Sequence, residues 1–175
     1  LMKIQLDELR HDMQEDFIEL RAAMESRVNN AYRHGWQEGS LAVWHRFIVA
    51  LALDFLPEPL RPFFEANRAF IVERAIDPDL WRVAGFAEEP PNHFLDFDAY
   101  GKYPFTDLPR AYDEALKKYG IDELRENGLL PWRTHEIAGR LIRGFQAVHK
   151  NGQYAYSDVR FFSAIIGHYV ADAHV

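Results

Sequence analysis

The sequence predicts an all-α protein. Apolar residues recur at steps of three and four along most of the chain, the period of a helix with one buried face. Gly and Pro punctuate those stretches, as at Gly35 and Pro57-Glu58-Pro59. The single stretch with a strand-like rhythm, His93 to Asp98, alternates only loosely and is too short for a sheet.

Residues 3–34 place Leu6, Leu9, Met13, Phe17, Leu20, Met24, Val28 and Ala31 on one face and charged residues on the other. This predicts a long amphipathic helix that packs on the domain or on a partner, with a stripe narrow enough for coiled-coil-like pairing. Residues 42–56 predict a second helix, ended by the Pro57-Glu58-Pro59 stop. Residues 60–76 predict a third, with Phe63, Phe64, Ala66, Phe70, Ile71 and Ala75 buried. Asp77-Pro78-Asp79 reads as its break. Leu80 to Tyr103 reads as irregular chain with a short extended segment or loop at 93–98. Pro109 to Lys118 predicts a helix opened by proline in its first turn. Residues 134–149 predict another, with Thr134 as N-cap. Tyr156 to His174 predict the last, with Ser157 or Asp158 near its start and Phe161, Phe162, Ile165, Ile166 and Val170 apolar. The expected organisation is an amphipathic helical extension over 1–39 and one helical domain over 40–175. No helix-stop signal precedes Val175, so that domain is expected to be the N-terminal part of a longer one.

At 175 residues, the chain is long enough to bury roughly two-thirds of its unfolded surface. A net charge of −7, from 20 Lys+Arg against 27 Asp+Glu, argues against a broad basic surface for nucleic acid or anionic lipid. It leaves room for a protein that meets a phosphate through a bound cation. With no cysteine, any metal site must use imidazole nitrogen and carboxylate oxygen. Lack of cysteine suits a reducing cytoplasm and an exported bacterial protein equally. Neither a membrane-spanning apolar run nor a signal-peptide pattern is visible.

His168 and Asp172 stand four apart on a predicted helix, so both project from one face about one turn apart. Such a pair can be an ordinary surface contact or can grip a cation. Their helix is otherwise strongly apolar, where burying both groups is costly without a partner. Asp79 and His93 are separated by 14 residues in predicted irregular chain, where functional side chains are common. Asp79 also suits a helix-end turn, and His93 a hydrogen bond beside Phe94. His45 follows Trp44 in an apolar helix, where a hydrogen-bonded core histidine is the ordinary alternative.

The string Ile166-Gly167-His168-Tyr169-Val170-Ala171-Asp172 resembles the zinc-binding helix of the superfamily that unites bacterial zinc-dependent phospholipase C with single-strand-specific zinc nucleases. His93-Phe94-Leu95-Asp96 is similar to that superfamily's His-aromatic-x-Asp element, and Asp79-Leu80-Trp81-Arg82 to its Asp-x-x-Arg element. His45-Arg46 followed by Phe47-Ile48 resembles its opening helix. The likeness runs from about residue 40 to the end, with four short motifs in the correct order.

The resemblance implies a phospholipase C/zinc nuclease-like domain holding two or three zinc ions and hydrolysing phosphodiester bonds, in phospholipid or single-stranded nucleic acid. It implies Asp79, His93, His168 and Asp172 around one zinc, with Asp79 as the catalytic carboxylate and Asp172 bridging to another ion. His45 would bind the ion that the superfamily's N-terminal Trp also holds. Asp77 is the reserve for Asp79. Asp96 or Asp98 would orient His93 from behind the ligands, and His174 would sit there too. The resemblance also implies a secreted or periplasmic protein; without it, a cytoplasmic one is expected. The chain departs from the pattern in having Ser40, not Trp, five residues before His45, and in lacking the Pro-x-His that follows the Asp. It is therefore expected to be a fragment with an incomplete site. The rival expectation is a non-catalytic helical interaction module, or a metal-storage protein using the same ligands.

Overall fold

The structure, a computed structural model, describes residues 40–150 and 153–174. The expected helix over 3–34 and its Gly35 stop lie outside them. The fold is all-α, and no strand occurs among the described residues.

The elements run α1 (Ser40–Leu53), α2 (Arg61–Ala66), α3 (Arg68–Arg74), α4 (Asp77–Val83), 3-10 turns at Pro90–His93 and Phe97–Tyr100, α5 (Tyr112–Tyr119), α6 (Ile121–Asn127), α7 (Leu130–His149) and α8 (Gln153–Asp172). Of these, α8 is the centre. It lies along α7 and against α1, α3, α4 and the first 3-10 turn. Its inward residues Val159, Ala164, Ile165, His168 and Tyr169 are all fully buried. The last four fall within two turns, Ala164 four residues before His168 and Ile165 four before Tyr169, so they share one enclosed face of the helix.

Three apolar clusters fill the interior. Val49 and Leu53 of α1 meet Phe64, Ile71, Ala75 and Ala164. Leu130 and Ile137 of α7 meet Ile165 and Tyr169 of α8. Tyr100, Ala115, Leu124 and Trp132 form a satellite core under α5, α6 and the second 3-10 turn. Full burial of one such aliphatic or aromatic side chain contributes about 1.5–3 kcal/mol.

Two close approaches set the spacing around α8. A Cβ on Gly144 of α7 would lie 2.7 Å from Val159 Cγ2, and one on Gly167 would lie 2.6 Å from Val49 Cγ2. Both are inside van der Waals contact, so glycine lets α7 and α1 seat directly on α8. Gly128 has φ +94 and faces the Phe94 carbonyl, where any Cβ would collide. That closeness lets Leu130 N–H donate to the Phe94 carbonyl at 3.2 Å and Asp96 N–H to the Asn127 carbonyl at 2.7 Å.

Several boundaries differ from those read in the sequence. The expected 60–76 helix is two helices, broken at Asn67, whose amide Nδ2 donates to the Phe63 carbonyl and to the Tyr156 hydroxyl. Asp77-Pro78-Asp79 opens α4 rather than merely ending its predecessor. Proline in the first turn and two acids near the positive helix end favour initiation there. The helix expected from Pro109 begins at Tyr112. The short α6, between Gly120 and Gly128, was not expected. Helix α7 begins at Leu130 with Pro131 in its first turn. Thr134 is therefore inside the helix, its hydroxyl donating to the Leu130 carbonyl at 2.8 Å, and does not cap it. The stretch 93–98 forms no strand: Phe94 is extended and Asp96 lies in the β region, between the two 3-10 turns.

Candidate metal centre

Four elements deliver five side chains to one place. His45 comes from the middle of α1, Asp79 from the first turn of α4, and His93 from the end of the first 3-10 turn. His168 and Asp172 come from the last turns of α8. Because α1 seats on Gly167, the His45 and His168 rings stack with centroids 3.8 Å apart and planes 19° from parallel. His93 meets His168 edge-on at 5.0 Å.

The donor atoms converge closely. His93 Nδ1 is 2.9 Å from Asp172 Oδ2 and 3.2 Å from His168 Nε2. His168 Nε2 is 3.3 Å from Asp172 Oδ2, which closes a triangle. On the other side, His45 Nε2 is 2.9 Å from Asp172 Oδ1, and His45 Nδ1 is 3.4 Å from Asp79 Oδ2. The five form two overlapping donor sets, one of His45, Asp79 and His168 and one of His93, His168 and Asp172. Within each set, every ligand atom is within 4.8 Å of the others. Asp172 thus turns one oxygen to each side.

Second contacts prepare these groups. His168, fully buried, has its Nδ1 2.7 Å from the Ala75 carbonyl. Donating there fixes the tautomer whose Nε2 lone pair faces the cluster. Arg82 Nη2 lies 3.1 Å from Asp79 Oδ1.

The electrostatics follow from burial opposed by pairing. Burial disfavours a charged His45, but hydrogen bonds to Asp172 and then Asp79 outweigh it and lift its pKa to about 9. Burial likewise opposes protonation of His93, and Asp172 and Glu89 lift it to about 9. Burial alone would raise Asp172, yet the three imidazoles hold it far below the usual carboxylate range. Asp79 is also held low against its burial, chiefly by His45, with help from His168 and Arg82.

Three imidazoles and two carboxylates make a donor set suited to zinc or a similar divalent ion. Tetrahedral ligands about 2.1 Å from a zinc lie ~3.4 Å from one another. The His93–His168–Asp172 triangle, with edges of 2.9, 3.2 and 3.3 Å, is nearly that size already. Asp79 Oδ2 is buried and, beyond His45 Nδ1 at 3.4 Å, has no hydrogen bond of ordinary geometry, an arrangement that is costly unless something else meets it. The residues present fit a cation.

No protein-family model, curated protein or solved structure matches the chain. Function is therefore read from the site itself.

All five expected ligands, His45, Asp79, His93, His168 and Asp172, come together. Their grouping differs from the one expected, since Asp79 shares its set with His45 and His168. Asp77 is buried nearby but belongs to neither set; its carboxylate is 3.5 Å from Arg74. The residues expected behind the ligands are placed otherwise. Asp96 and Asp98 are exposed, and His174 is exposed with Nδ1 2.7 Å from the Val170 carbonyl of its own helix. The group facing His93 from behind is Glu89, whose Oε1 is 3.4 Å from His93 Nε2. Spacing of four residues between Glu89 and His93 was the available signal, but it counts only where the chain coils, and Pro90-Pro91 concealed the 3-10 turn.

His45, Asp79, His93 and Asp172 line a cleft of about 1040 Å³, while His168 is fully buried. Trp44, Ile48, Phe94 and Phe97 supply an apolar wall, and Arg82 a cation beside Asp79.

Proposed function

We propose that the chain carries the metal-holding part of a zinc-dependent phosphodiester hydrolase. The observation that supports this most is the convergence of three imidazoles and two carboxylates, from four elements remote in sequence, with His45, Asp79, His93 and Asp172 lining an open cleft. Buried ionisable groups clustered in a cleft are characteristic of functional sites.

A bound zinc would polarise a phosphoryl oxygen and lower the pKa of a bound water towards about 7. The protein's own groups have separable tasks. His93, His168 and Asp172 would hold the ion, and Asp172 reaches His45 with its second oxygen. Asp79 presents Oδ2, met only by His45 Nδ1 at 3.4 Å, on which a proton from water can be held. Arg82, 40% exposed at its side chain, is anchored by Asp79 and can donate to a phosphate oxygen from the cleft wall. The apolar wall excludes water on one side and suits either acyl chains or a stacked base, so phospholipid and single-stranded nucleic acid are both kept as substrates.

The test is hydrolysis of bis(p-nitrophenyl) phosphate, single-stranded DNA and phosphatidylcholine micelles by the zinc-loaded protein. Turnover of at least one substrate should be abolished by chelation and by Asp172→Asn, with lost metal content in that variant. Activity that survives chelation would sink the proposal. Zinc binding with no turnover of any of the three would reduce the site to a metal-binding one.

A further inference from the structure

We infer that Glu89 is the positioning carboxylate of this centre, fixing the His93 ring so that Nδ1 faces the cation and Nε2 faces away. The inference rests on the metal reading above and deepens it.

Glu89 precedes the 3-10 turn that ends in His93 and is 6% exposed, unusual for a carboxylate outside the ligand set. Both of its oxygens are engaged. Oε1 accepts from the hydroxyl of Tyr169, which is fully buried, and Oε2 lies 3.3 Å from the amide Nδ2 of Asn92. Tyr169 is tied in turn to Arg133, whose Nε lies 3.4 Å from its hydroxyl. A chain of polar contacts thus runs from Arg133 through Tyr169 to Glu89.

His93 stands at the end of that chain. Its Nε2 is buried, has no hydrogen bond that meets ordinary geometry, and lies 3.4 Å from Glu89 Oε1. A shift of a few tenths of an ångström would bring it to donate. Neither Asp96 nor Asp98 competes for it, since both are exposed. With Nε2–H directed at Glu89, the Nδ1 lone pair is left pointing at Asp172 and His168, where the cation would lie. A carboxylate behind a ligating imidazole fixes its tautomer and makes it a stronger donor. The helical register supplies the device. Tyr169 follows His168 on α8, so the helix that carries one ligand also clamps the group orienting another.

The experiment titrates Co²⁺ and Zn²⁺ into the 175-residue chain, as wild type, Glu89→Gln and Tyr169→Phe. Removing such a support lowers metal affinity about 10–100-fold. The expected result is a loss of that size for Glu89→Gln and a smaller loss for Tyr169→Phe, with a shifted Co²⁺ visible band in both. In the zinc-loaded protein, ¹⁵N spectra should show His93 protonated at Nε2 in the wild type and a mixture of tautomers in Glu89→Gln. Wild-type affinity with an unshifted band in Glu89→Gln would overturn the inference. So would a variant whose chelated form melts lower while its folded fraction keeps affinity and band, the pattern of a merely structural role. If Glu89→Gln does not fold, Tyr169→Phe decides by the same readouts, because it removes only the hydroxyl that holds Glu89. Failure of the wild type itself to bind either ion would remove the metal reading as well, a separate outcome.

Discussion

Zinc binding should expel protons, and the number follows from the site. In the ion-free cluster, His45 and His93 have pKa values of about 9, so at pH 7 each carries its proton. A ligating imidazole must be neutral, so loading both sides of Asp172 at pH 7 releases about two protons. Apparent affinity should then rise roughly a hundredfold per pH unit through the neutral range and level off above pH 9. Calorimetry at pH 7 in buffers of different ionisation enthalpy measures this directly, because the slope of observed heat against buffer enthalpy counts the protons. A slope near two is expected for the wild type. Asp172→Asn removes a carboxylate that sustains both shifts, so it should bind more weakly and release fewer protons. A slope near zero in the wild type, with affinity constant between pH 6.5 and 8.5, would refute the reasoning.

Other outcomes follow from the same geometry. For the ion-free protein, the raised histidines contribute stability that is complete below pH 6.5 and lost as pH rises through about 9, at most about 3 kcal/mol for each. The depressed Asp172 and Asp79 contribute above the ordinary carboxylate range, and this is lost as pH falls. Thermal melts in chelator should therefore peak between about pH 4 and 6.5 and decline towards pH 9.5. Gly167→Ala should cost about 1–3 kcal/mol by overpacking against Val49, and Val49→Ala in the same chain should recover part of it. Chemical denaturation of the single and double variants checks this, and equal stability of Gly167→Ala and wild type would contradict it. Gly128→Ala should destabilise more, through its positive φ and the Phe94 carbonyl, and should also weaken zinc binding by shifting His93.

Local signals carried most of the helices, while the five converging side chains were singled out together only by the resemblance. The three-and-four spacing located α1 and α8, and the His168–Asp172 pair needed only a helix to share a face. What escaped depends on partners far along the chain or on signals with two meanings. Nothing near Asn67 announces a break, because the break is held by Tyr156, 89 residues away. Asp77-Pro78-Asp79 is as good an opening as a stop, and the choice is made by α4 packing against α8. Pro131 lies before the expected start at Thr134, yet proline is at home in the first turn, where α7 places it. Behind His93, acidic residues on both sides offered themselves. The chain keeps Asp96 and Asp98 in solvent and buries Glu89, a choice fixed by Tyr169 on a helix the local sequence cannot foresee.

The central claim is that these five side chains meet around a divalent cation. Equilibrium dialysis of the purified, chelator-stripped chain against zinc, followed by elemental analysis, tests it most directly. At least one zinc per chain is expected for the wild type, with loss of bound zinc in Asp172→Asn and in a His93→Ala, His168→Ala double variant. A wild type that retains no zinc above the level of those variants would contradict the account.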